Sequence, residues 1–355
     1  MADDILNHYP ELRGRPREMA MFCALFRERG MAAEALALGE AAVAAAPESL
    51  AIRSEVRTAL SRGVASFHGP MLLDEARNAA YARAIAQSVR PGMLVLEIGA
   101  GSGLLAMLAA RAGAQVVTCE ANPMIAAAAQ VIVARNGFSD RVKVVPRQSL
   151  TLEVPGDLDR PADMLIHEIF GSRLYDEGVT AALTDARRRL LKPAARSLPR
   201  AGSLRCALAG SNSPRPTATL ADVHGFDLAP FELLTRAGGP IWRSRRQGLK
   251  LRSRPVAALR SDFDRAPPFG ATSETILLES SGGPIEAIVQ WIEIEFPDGA
   301  RLENDPFADG PDSSWAAFPT YLPEPIVTAP GDLIEVNVRR RGPLVTMDVA
   351  KQTAA

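Results

Sequence analysis

The feature that most constrains the fold is a short apolar run followed by three alternating glycines, Gly99, Gly101 and Gly103. The run at residues 93–96 is bounded by Pro91-Gly92 on its other side, which is typical of a strand buried on both faces. The spacing then predicts a helix over residues 104–112. Three more strands and one more helix are predicted, over residues 115–119, 142–146 and 164–167, and over residues 123–136. Strands that alternate with helices of this length predict an α/β fold with a parallel sheet.

The glycine turn and two acids indicate the kind of cofactor. Glycines allow close backbone approach to a ligand, and residues 101–106 match the loose dinucleotide-binding pattern. Glu97 lies directly before the turn, where a carboxylate suits a cationic amino acid group better than a diphosphate. Glu120 ends the next strand and can accept hydrogen bonds from two ribose hydroxyls, although a solvated strand-end acid is the alternative. The cofactor-binding set favours S-adenosyl-L-methionine over a nicotinamide dinucleotide and comprises Glu97, Gly99, Gly101, Gly103 and Glu120.

Two glutamates nine residues apart, Glu168 and Glu177, follow the fourth predicted strand. Active sites of α/β folds lie at the carboxyl ends of strands. The intervening loop contains Gly171 and leads toward a helix, so both carboxylates can converge on one planar cation. A guanidinium fits because its fork of N–H donors pairs with carboxylates in bidentate fashion. We therefore predict that Glu168 and Glu177 bind an arginine side chain, with a pair of exposed loop acids as the alternative.

The two ends of the chain have different patterns. Residues 17–62 are Ala-rich with helical spacing, and residues 32–45 predict an amphipathic helix. This layout resembles one tetratricopeptide unit, but one unit cannot stack, so residues 1–62 are predicted to be a helical extension packed on a methyltransferase domain at residues 63–199. Beyond it, alternating residues in 292–296 and 333–339 predict strands covered on one face only, so residues 200–355 are predicted to form an antiparallel β-barrel.

Composition limits which binding partners and which cellular compartment are expected for this protein. The net charge of -1 provides no uniform field for nucleic acid, so direct nucleic-acid binding is not expected. Three distant cysteines without metal-ligand spacing, Cys23, Cys119 and Cys206, predict free thiols, a reducing compartment and no metal site. No leader pattern or apolar run of membrane-spanning length is present, so we expect a cytoplasmic protein without a membrane partner.

Several stretches together resemble the protein arginine N-methyltransferases. The spacing of Glu168 and Glu177 is that of the family's double-glutamate loop, and residues 71–78 are similar to its segment before the first strand. Residues 135–144 look most like the branch called protein arginine methyltransferase 7, and residues 223–227 are similar to part of the family's barrel. The resemblance covers roughly residues 64 to 350.

This resemblance implies a class I (Rossmann-like) methyltransferase sheet followed by a β-barrel. It implies that Arg77 pairs with the cofactor carboxylate and that His68 lies near the cofactor's methionine end. It also implies that Glu120 binds the cofactor ribose and that the two loop glutamates bind the substrate arginine. It also implies a homodimer, with residues 211–247 as the dimerisation arm.

One loop departs from the family pattern. The family's Thr-His-Trp loop corresponds here to Ser313, Ser314 and Trp315, so Ser314 stands where the family has His. The acid that partners that His corresponds to Asp74. By resemblance, Asp74, Ser314 and Trp315 are the residues expected to position the substrate.

The sequence thus predicts an S-adenosyl-L-methionine-dependent methyltransferase that modifies a guanidinium nitrogen of arginine in a protein or peptide substrate. A methyltransferase for a small molecule or another protein residue would keep the cofactor turn but use the loop acids otherwise. A non-catalytic, cofactor-binding interaction protein is the second alternative.

Overall fold

The computed structural model describes residues 2–211, 220, 222–233, 239–246, 248–265 and 271–353. The chain forms two compact units. The first comprises Met1–His167 and Asp185–Arg196, and the second comprises Glu168–Thr184 and Ser197–Ala355.

The first unit begins with four helices that pack together, α1 (Ala2–His8), α2 (Pro16–Glu28), α3 (Ala32–Ala45) and α4 (Leu50–Ser61). The expectation that α3 is amphipathic is wrong, because its exposed positions, Ala33, Ala44 and Ala45, are as apolar as its buried ones. It lies centrally and contacts α1, α2, α4 and a later helix, α8 (Pro123–Arg135). Small side chains allow this, since a Cβ at Gly39 would come within 2.9 Å of Val56 Cγ1 on α4. The helical extension therefore packs on the sheet domain, as predicted.

This unit also contains a five-stranded sheet with strand order β3-β2-β1-β4-β5, in which β1 to β4 run parallel. Its strands are β1 (Leu94–Ile98), β2 (Gln115–Cys119), β3 (Val142–Val145), β4 (Ala162–His167) and β5 (Leu191–Leu198). The other helices are α5 (His68–Leu73), α6 (Glu75–Ser88), α7 (Leu104–Arg111) and α9 (Val179–Arg189), of which α9 belongs to this unit only from Asp185 onward. Strand β1 is buried along its whole length and pairs in parallel with β2 and β4. Ile98 is in register with both Cys119 and His167, so three strands end at the same edge.

The second unit contains a seven-stranded sheet with the path β12-β11-β9-β6-β7, on which β10 pairs with β9 and β8 with β6. Its strands are β6 (Ala201–Gly210), β7 (Lys250–Leu251), β8 (Val256–Asp262), β9 (Thr272–Glu295), β10 (Arg301–Glu303), β11 (Phe318–Arg341) and β12 (Leu344–Thr353). All of these pairings are antiparallel. The predicted class, a Rossmann-like sheet followed by an antiparallel barrel-like domain, is confirmed.

The prediction that residues 292–296 are covered on one face only is wrong. Glu293 and Glu295, expected to face solvent, are buried. The burial is compatible with charge because Arg301 Nη1 lies 3.4 Å from Glu293 Oε2 and Arg260 Nη2 lies 2.9 Å from Glu295 Oε2. In contrast, residues 333–339 alternate between buried and more exposed positions as predicted.

One segment lies outside the domain predicted for it, and another is described only in part. Residues 168–184 were expected within the methyltransferase domain, but they belong to the second unit because Phe170, Leu174 and Tyr175 pack their side chains there. The predicted arm at residues 211–247 lies in part outside the described residues. Its described part includes a tight turn at Val223–Phe226 and a 3₁₀ helix at Ala229–Leu233.

Among the described helices, none is both long and apolar enough to cross a membrane.

Candidate active site

The glycine turn crosses from β1 over the end of β2. Gly99, Gly101 and Gly103 all have positive φ angles, which explains why glycine occupies each position. The N–H groups of Gly99 and Ala100 both donate to the carbonyl of Cys119, at 3.0 Å each. These bonds fix the turn against the adjacent strand. A Cβ at Gly101 would meet no atom within 4 Å, so open space lies over the middle of the turn.

Glu120 is joined directly to this turn. Its Oε2 accepts a hydrogen bond from the Gly101 N–H at 3.2 Å, and its Oε1 accepts one from the Asn122 N–H at 2.9 Å. The side chain is half-buried. Glu120 therefore has a defined position beside the open space over Gly101, where a ligand hydroxyl would find a carboxylate acceptor.

Glu97 and Arg77 supply buried charges of opposite sign to the same unit. Glu97 is 1% exposed and lies near the end of β1. Arg77 is 3% exposed on α6, where its guanidinium lies 5.0 Å from the ring centroid of Tyr81. The Tyr81 hydroxyl donates to the carbonyl of His167 at 3.2 Å, which connects α6 with the end of β4. Buried charges of this kind are uncommon unless they are paired or functional.

This set of groups fits S-adenosyl-L-methionine. A cradle of glycines provides room, Glu97 can balance an ammonium, Arg77 can pair with a carboxylate, and Glu120 can accept ribose hydroxyls. A diphosphate would instead meet two carboxylates. The chemistry of the residues therefore favours the methyl donor over a nicotinamide dinucleotide.

His68 and Asp74 flank the short helix α5. His68 begins this helix and is half-buried. Burial lowers its pKa below the usual 6.5, while the negative charge of Glu120 opposes that shift, so the imidazole lies within electrostatic range of Glu120. Asp74 caps α6, since its Oδ1 accepts the Arg77 N–H at 3.0 Å.

The second unit carries the two-glutamate loop, which we define as residues 168–177. Its backbone contains two non-glycine residues in the left-handed region, Leu174 at φ 66° and Glu177 at φ 62°. Such conformations persist only when surrounding contacts impose them, and they concentrate at functional sites. Asp176 fixes the turn between them, because its Oδ1 accepts the Gly171 N–H at 2.8 Å. A Cβ at Gly171 would lie 2.6 Å from that oxygen, so glycine is required there.

Glu177 has a strongly perturbed pKa. Desolvation by the surrounding protein, followed by the negative charges of Asp176 and Glu168, raises the pKa of Glu177 from 4.5 to about 7. The residue as a whole nevertheless remains exposed to solvent. The charges of Asp176 and Glu168 thus oppose ionisation of Glu177, and a cation bound beside Glu177 would offset that effect. The two glutamates that the sequence predicts to act together are brought together.

The loop is attached to the barrel-like sheet by specific contacts. The Tyr175 hydroxyl lies 3.0 Å from Ser261 Oγ on β8, and the Ala316 N–H donates to Ser172 Oγ at 3.0 Å. The Phe170 ring stacks on Phe263, with ring centroids 6.0 Å apart. These contacts make the loop geometry dependent on the second unit.

Trp315 lies close to this loop. Its ring centroid is 5.8 Å from that of Phe170, and its side chain is buried. Ser314 is half-buried beside it. The structure thus brings Trp315 together with the two-glutamate loop in the second unit, whereas Asp74 belongs to the first unit.

Sequence reasoning missed several residues that shape these sites. Asn304 is buried, and its Nδ2 donates to the carbonyl of Ala316 at 3.0 Å while its Oδ1 accepts the Ile292 N–H at 2.8 Å. Asn122 and Asp176 were also missed. An N-cap asparagine before a proline is a recognisable local signal for Asn122, but the Asn304 contacts are distant in sequence and leave no local pattern.

The fold and the residues of the glycine turn are together those of a class I methyltransferase. Residues 81–189, less than half of the chain, match the family model of the ribosomal protein L11 methyltransferase (PrmA). An arginine N(omega)-methyltransferase of Streptomyces achromogenes subsp. streptozoticus is 31% identical over 294 residues, which are 82% of this chain and 81% of that relative. A protein arginine N-methyltransferase 7 of Oryza sativa subsp. indica is 44% identical over 131 residues, which are 34% of this chain and 18% of that relative.

The fold is also that of a solved arginine methyltransferase. The PRMT1 enzyme-prozyme heterotetrameric complex of Trypanosoma brucei with AdoHcy aligns with a TM-score of 0.70 and 21% identity, over 83% of this chain and 96% of that chain. The chain belongs to the arginine N-methyltransferase family, whose methyl donor is S-adenosyl-L-methionine, and it is similar to the branch called protein arginine methyltransferase 7.

Proposed function

We propose that this methyltransferase modifies arginine side chains of a protein substrate, with Glu168 and Glu177 as the catalytic pair that binds the guanidinium. The observation that carries the proposal is the strained two-glutamate loop, in which desolvation, followed by the charges of Asp176 and Glu168, raises the pKa of Glu177 to about 7. A carboxyl group whose pKa is raised by desolvation and by neighbouring acids is a candidate for binding a cationic ligand. Glu168 directly follows His167, the last residue of β4, as expected of an active-site residue in an α/β fold.

The proposed cofactor residues are those of the glycine turn and its surroundings. Arg77 would hold the carboxylate of the methyl donor, Glu97 its ammonium and Glu120 its ribose, while His68 would lie at its methionine end. Bound S-adenosyl-L-methionine supplies an electrophilic methyl group. The protein's task is then to bring a guanidinium nitrogen into line with that group, since positioning alone can remove much of the barrier.

Glu168 and Glu177 also act on the charge of the acceptor. Guanidinium is a poor nucleophile, and two ionised carboxylates would concentrate its positive charge away from the attacking nitrogen. Transfer of the methyl group would break its bond to sulfur, leave S-adenosylhomocysteine, and put one excess proton on the newly methylated nitrogen. We propose Glu177 as the acceptor of this proton, because desolvation and the charges of Asp176 and Glu168 favour its protonated form.

The test is incubation with methyl-labelled S-adenosyl-L-methionine and an Arg-Gly-rich peptide, followed by mass spectrometry of the product. Glu168→Gln and Glu177→Gln keep the side-chain shape but remove the charge, so methylarginine should disappear while S-adenosylhomocysteine still binds. Methylarginine formation by both variants would refute the proposed pair.

A second candidate acceptor is arginine as a free amino acid. It is favoured by the relative that matches 82% of this chain, which is named for arginine and not for protein arginine. Competition between the Arg-Gly-rich peptide and free L-arginine in one reaction separates the two, because kcat/KM for each acceptor is then measured directly. A preference for free arginine would replace the protein substrate in our proposal.

We further propose a homodimer in a cytoplasmic, reducing compartment. Three apolar side chains of the described part of the predicted arm are exposed, at Phe226, Leu228 and Phe231, and association would cover them. All three cysteines are buried free thiols, as suits a reducing compartment. Sedimentation of the wild-type chain and of Phe226→Ser with Phe231→Ser tests the dimer, and cell fractionation tests the compartment.

A further inference from the structure

The proposed function does not account for the N-terminal helices α1 to α4. These helices hold α8 at two places along its length. Met124, in the first turn of α8, is part of the buried cluster formed by the N-terminal helices. Near the other end of α8, Arg135 Nη2 lies 2.5 Å from Glu40 Oε2 of α3. The helical layer is therefore attached to the helix that follows Glu120 in the chain.

A third attachment lies at the beginning of α8. Asn122 Nδ2 donates a hydrogen bond to the carbonyl of Gly63, at 2.8 Å. Gly63 has a φ of 76°, in the left-handed region, so it turns the chain just after α4 ends at Ser61. This residue lies in the segment that connects the N-terminal helices to His68. The bond therefore fixes that segment to the beginning of α8.

Asn122 makes its other contacts toward the cofactor turn and along the helix. Its backbone N–H donates to Glu120 Oε1 at 2.9 Å, while the Gly101 N–H donates to the other carboxylate oxygen. Its Oδ1 caps α8 by accepting the N–H groups of Met124 and Ile125. The oxygen of one side chain thus caps the helix, and the nitrogen of the same side chain binds Gly63.

His68 completes the connection. It lies five residues after Gly63, and its imidazole is within electrostatic range of Glu120. The segment 63–68 is therefore held at one end by Asn122, whose backbone N–H binds Glu120, and it ends at His68, on which the charge of Glu120 acts. If the Gly63 end is released, the segment can leave that position without unfolding the rest of the unit.

We propose that the bond from the Asn122 amide to the Gly63 carbonyl is a positioning contact, through which the N-terminal helices hold segment 63–68 beside Glu120 and raise the affinity for the methyl donor. The proposal rests on the assigned role of Glu120 in cofactor binding. An exposed hydrogen bond of this kind contributes modestly to ordering. Its loss lowers the fraction of molecules ready to bind, and the apparent Kd rises in proportion.

The test uses Asn122→Ser in the full-length chain. Serine keeps an oxygen for the helix cap, lacks the amide donor and adds no charge. We expect the Kd for S-adenosylhomocysteine, measured by calorimetry, to rise about three- to tenfold, with faster hydrogen exchange at residues 62–68 in the free protein. The KM for the methyl donor should rise in parallel, while kcat at saturating donor stays within about twofold.

Arg135→Gln is the matched control, because it breaks an attachment of the same helix that has no bond to Glu120. It should leave the Kd unchanged. Gly63→Ala is a second variant that does not touch the helix cap: its Cβ meets no atom within 4 Å, but the left-handed backbone is strained, so the carbonyl should move and the Kd should rise.

The proposal is overturned if the Kd of Asn122→Ser stays within about twofold of wild type, or if Arg135→Gln raises it equally. Glu120→Ala separates this failure from failure of the proposed function. If Glu120→Ala weakens binding and Asn122→Ser does not, the positioning contact is wrong. If Glu120→Ala has no effect, the assigned cofactor role is itself wrong.

Discussion

The raised pKa of Glu177 predicts how methylation depends on pH. With a pKa of about 7, roughly a tenth of the Glu177 carboxyl is ionised at pH 6 and roughly nine tenths at pH 8. A carboxyl of ordinary pKa would be almost fully ionised at both values. Because the ionised form is the one that binds guanidinium, kcat/KM for the arginine acceptor should rise about tenfold between pH 6 and pH 8 and then level off.

The sign of this effect follows from the protonation states. Raising the pKa favours the protonated carboxyl in the free enzyme below pH 7, so activity is lost as the pH falls through 7. A bound guanidinium stabilises the ionised carboxyl and lowers its pKa in the complex. The profile of kcat alone should therefore turn down at a lower pH than the profile of kcat/KM, because only the latter reports the free enzyme.

Asp176→Asn is the matched control for this prediction. Its side-chain oxygen can still accept the Gly171 N–H, but the like charge beside Glu177 is gone, so the acidic limb of kcat/KM should move to lower pH. The Kd for S-adenosylhomocysteine, measured over the same range, checks that His68 is not responsible. A kcat/KM that is flat between pH 6 and pH 8, or a limb that does not move in Asp176→Asn, would refute the reasoning.

Three further variants test the supports of the second unit. Asn304→Leu should lower the free energy of unfolding by about 2–4 kcal/mol in urea titrations, since the buried Ile292 N–H and Ala316 C=O both lose a partner; a loss below about 1 kcal/mol would contradict this. Gly171→Ala should reduce kcat/KM more than about tenfold without changing S-adenosylhomocysteine binding, because its Cβ displaces Asp176, and wild-type kinetics would count against it. Glu177→Gly should be inactive yet melt no lower than wild type, because glycine tolerates φ 62°; a lower Tm would show that the backbone is not strained.

The parallel half of the fold could be predicted from the sequence. Strand β2 has the predicted bounds, and α7 and α8 each end one residue before the predicted position. The signals are local there, because each strand is a short apolar run between a turn and a helix. The glycine turn and the spacing of Glu168 and Glu177 are likewise visible as short patterns.

The remaining features depend on contacts between residues distant in sequence. Alternation placed Glu293 and Glu295 on a solvent face, yet arginines from neighbouring strands cover them. Helix α3 was expected to have one apolar face, but it lies among helices on several sides. A one-dimensional pattern records neither an ion-pair partner on another strand nor the number of helices around a given one.

The strain of the two-glutamate loop shows why its geometry could not be inferred from the loop itself. Each left-handed residue costs about 1–2 kcal/mol, and the loop contains two of them. Full burial of Leu174 contributes about 1.5–3 kcal/mol in return. Leu174 can be buried there only because it packs against a glycine, Gly202. A Cβ at Gly202 would lie 2.6 Å from Leu174 Cδ1. The backbone that aims Glu177 is therefore maintained by a glycine of β6, and sequences that share only the spacing of the two acids need not share the clamp.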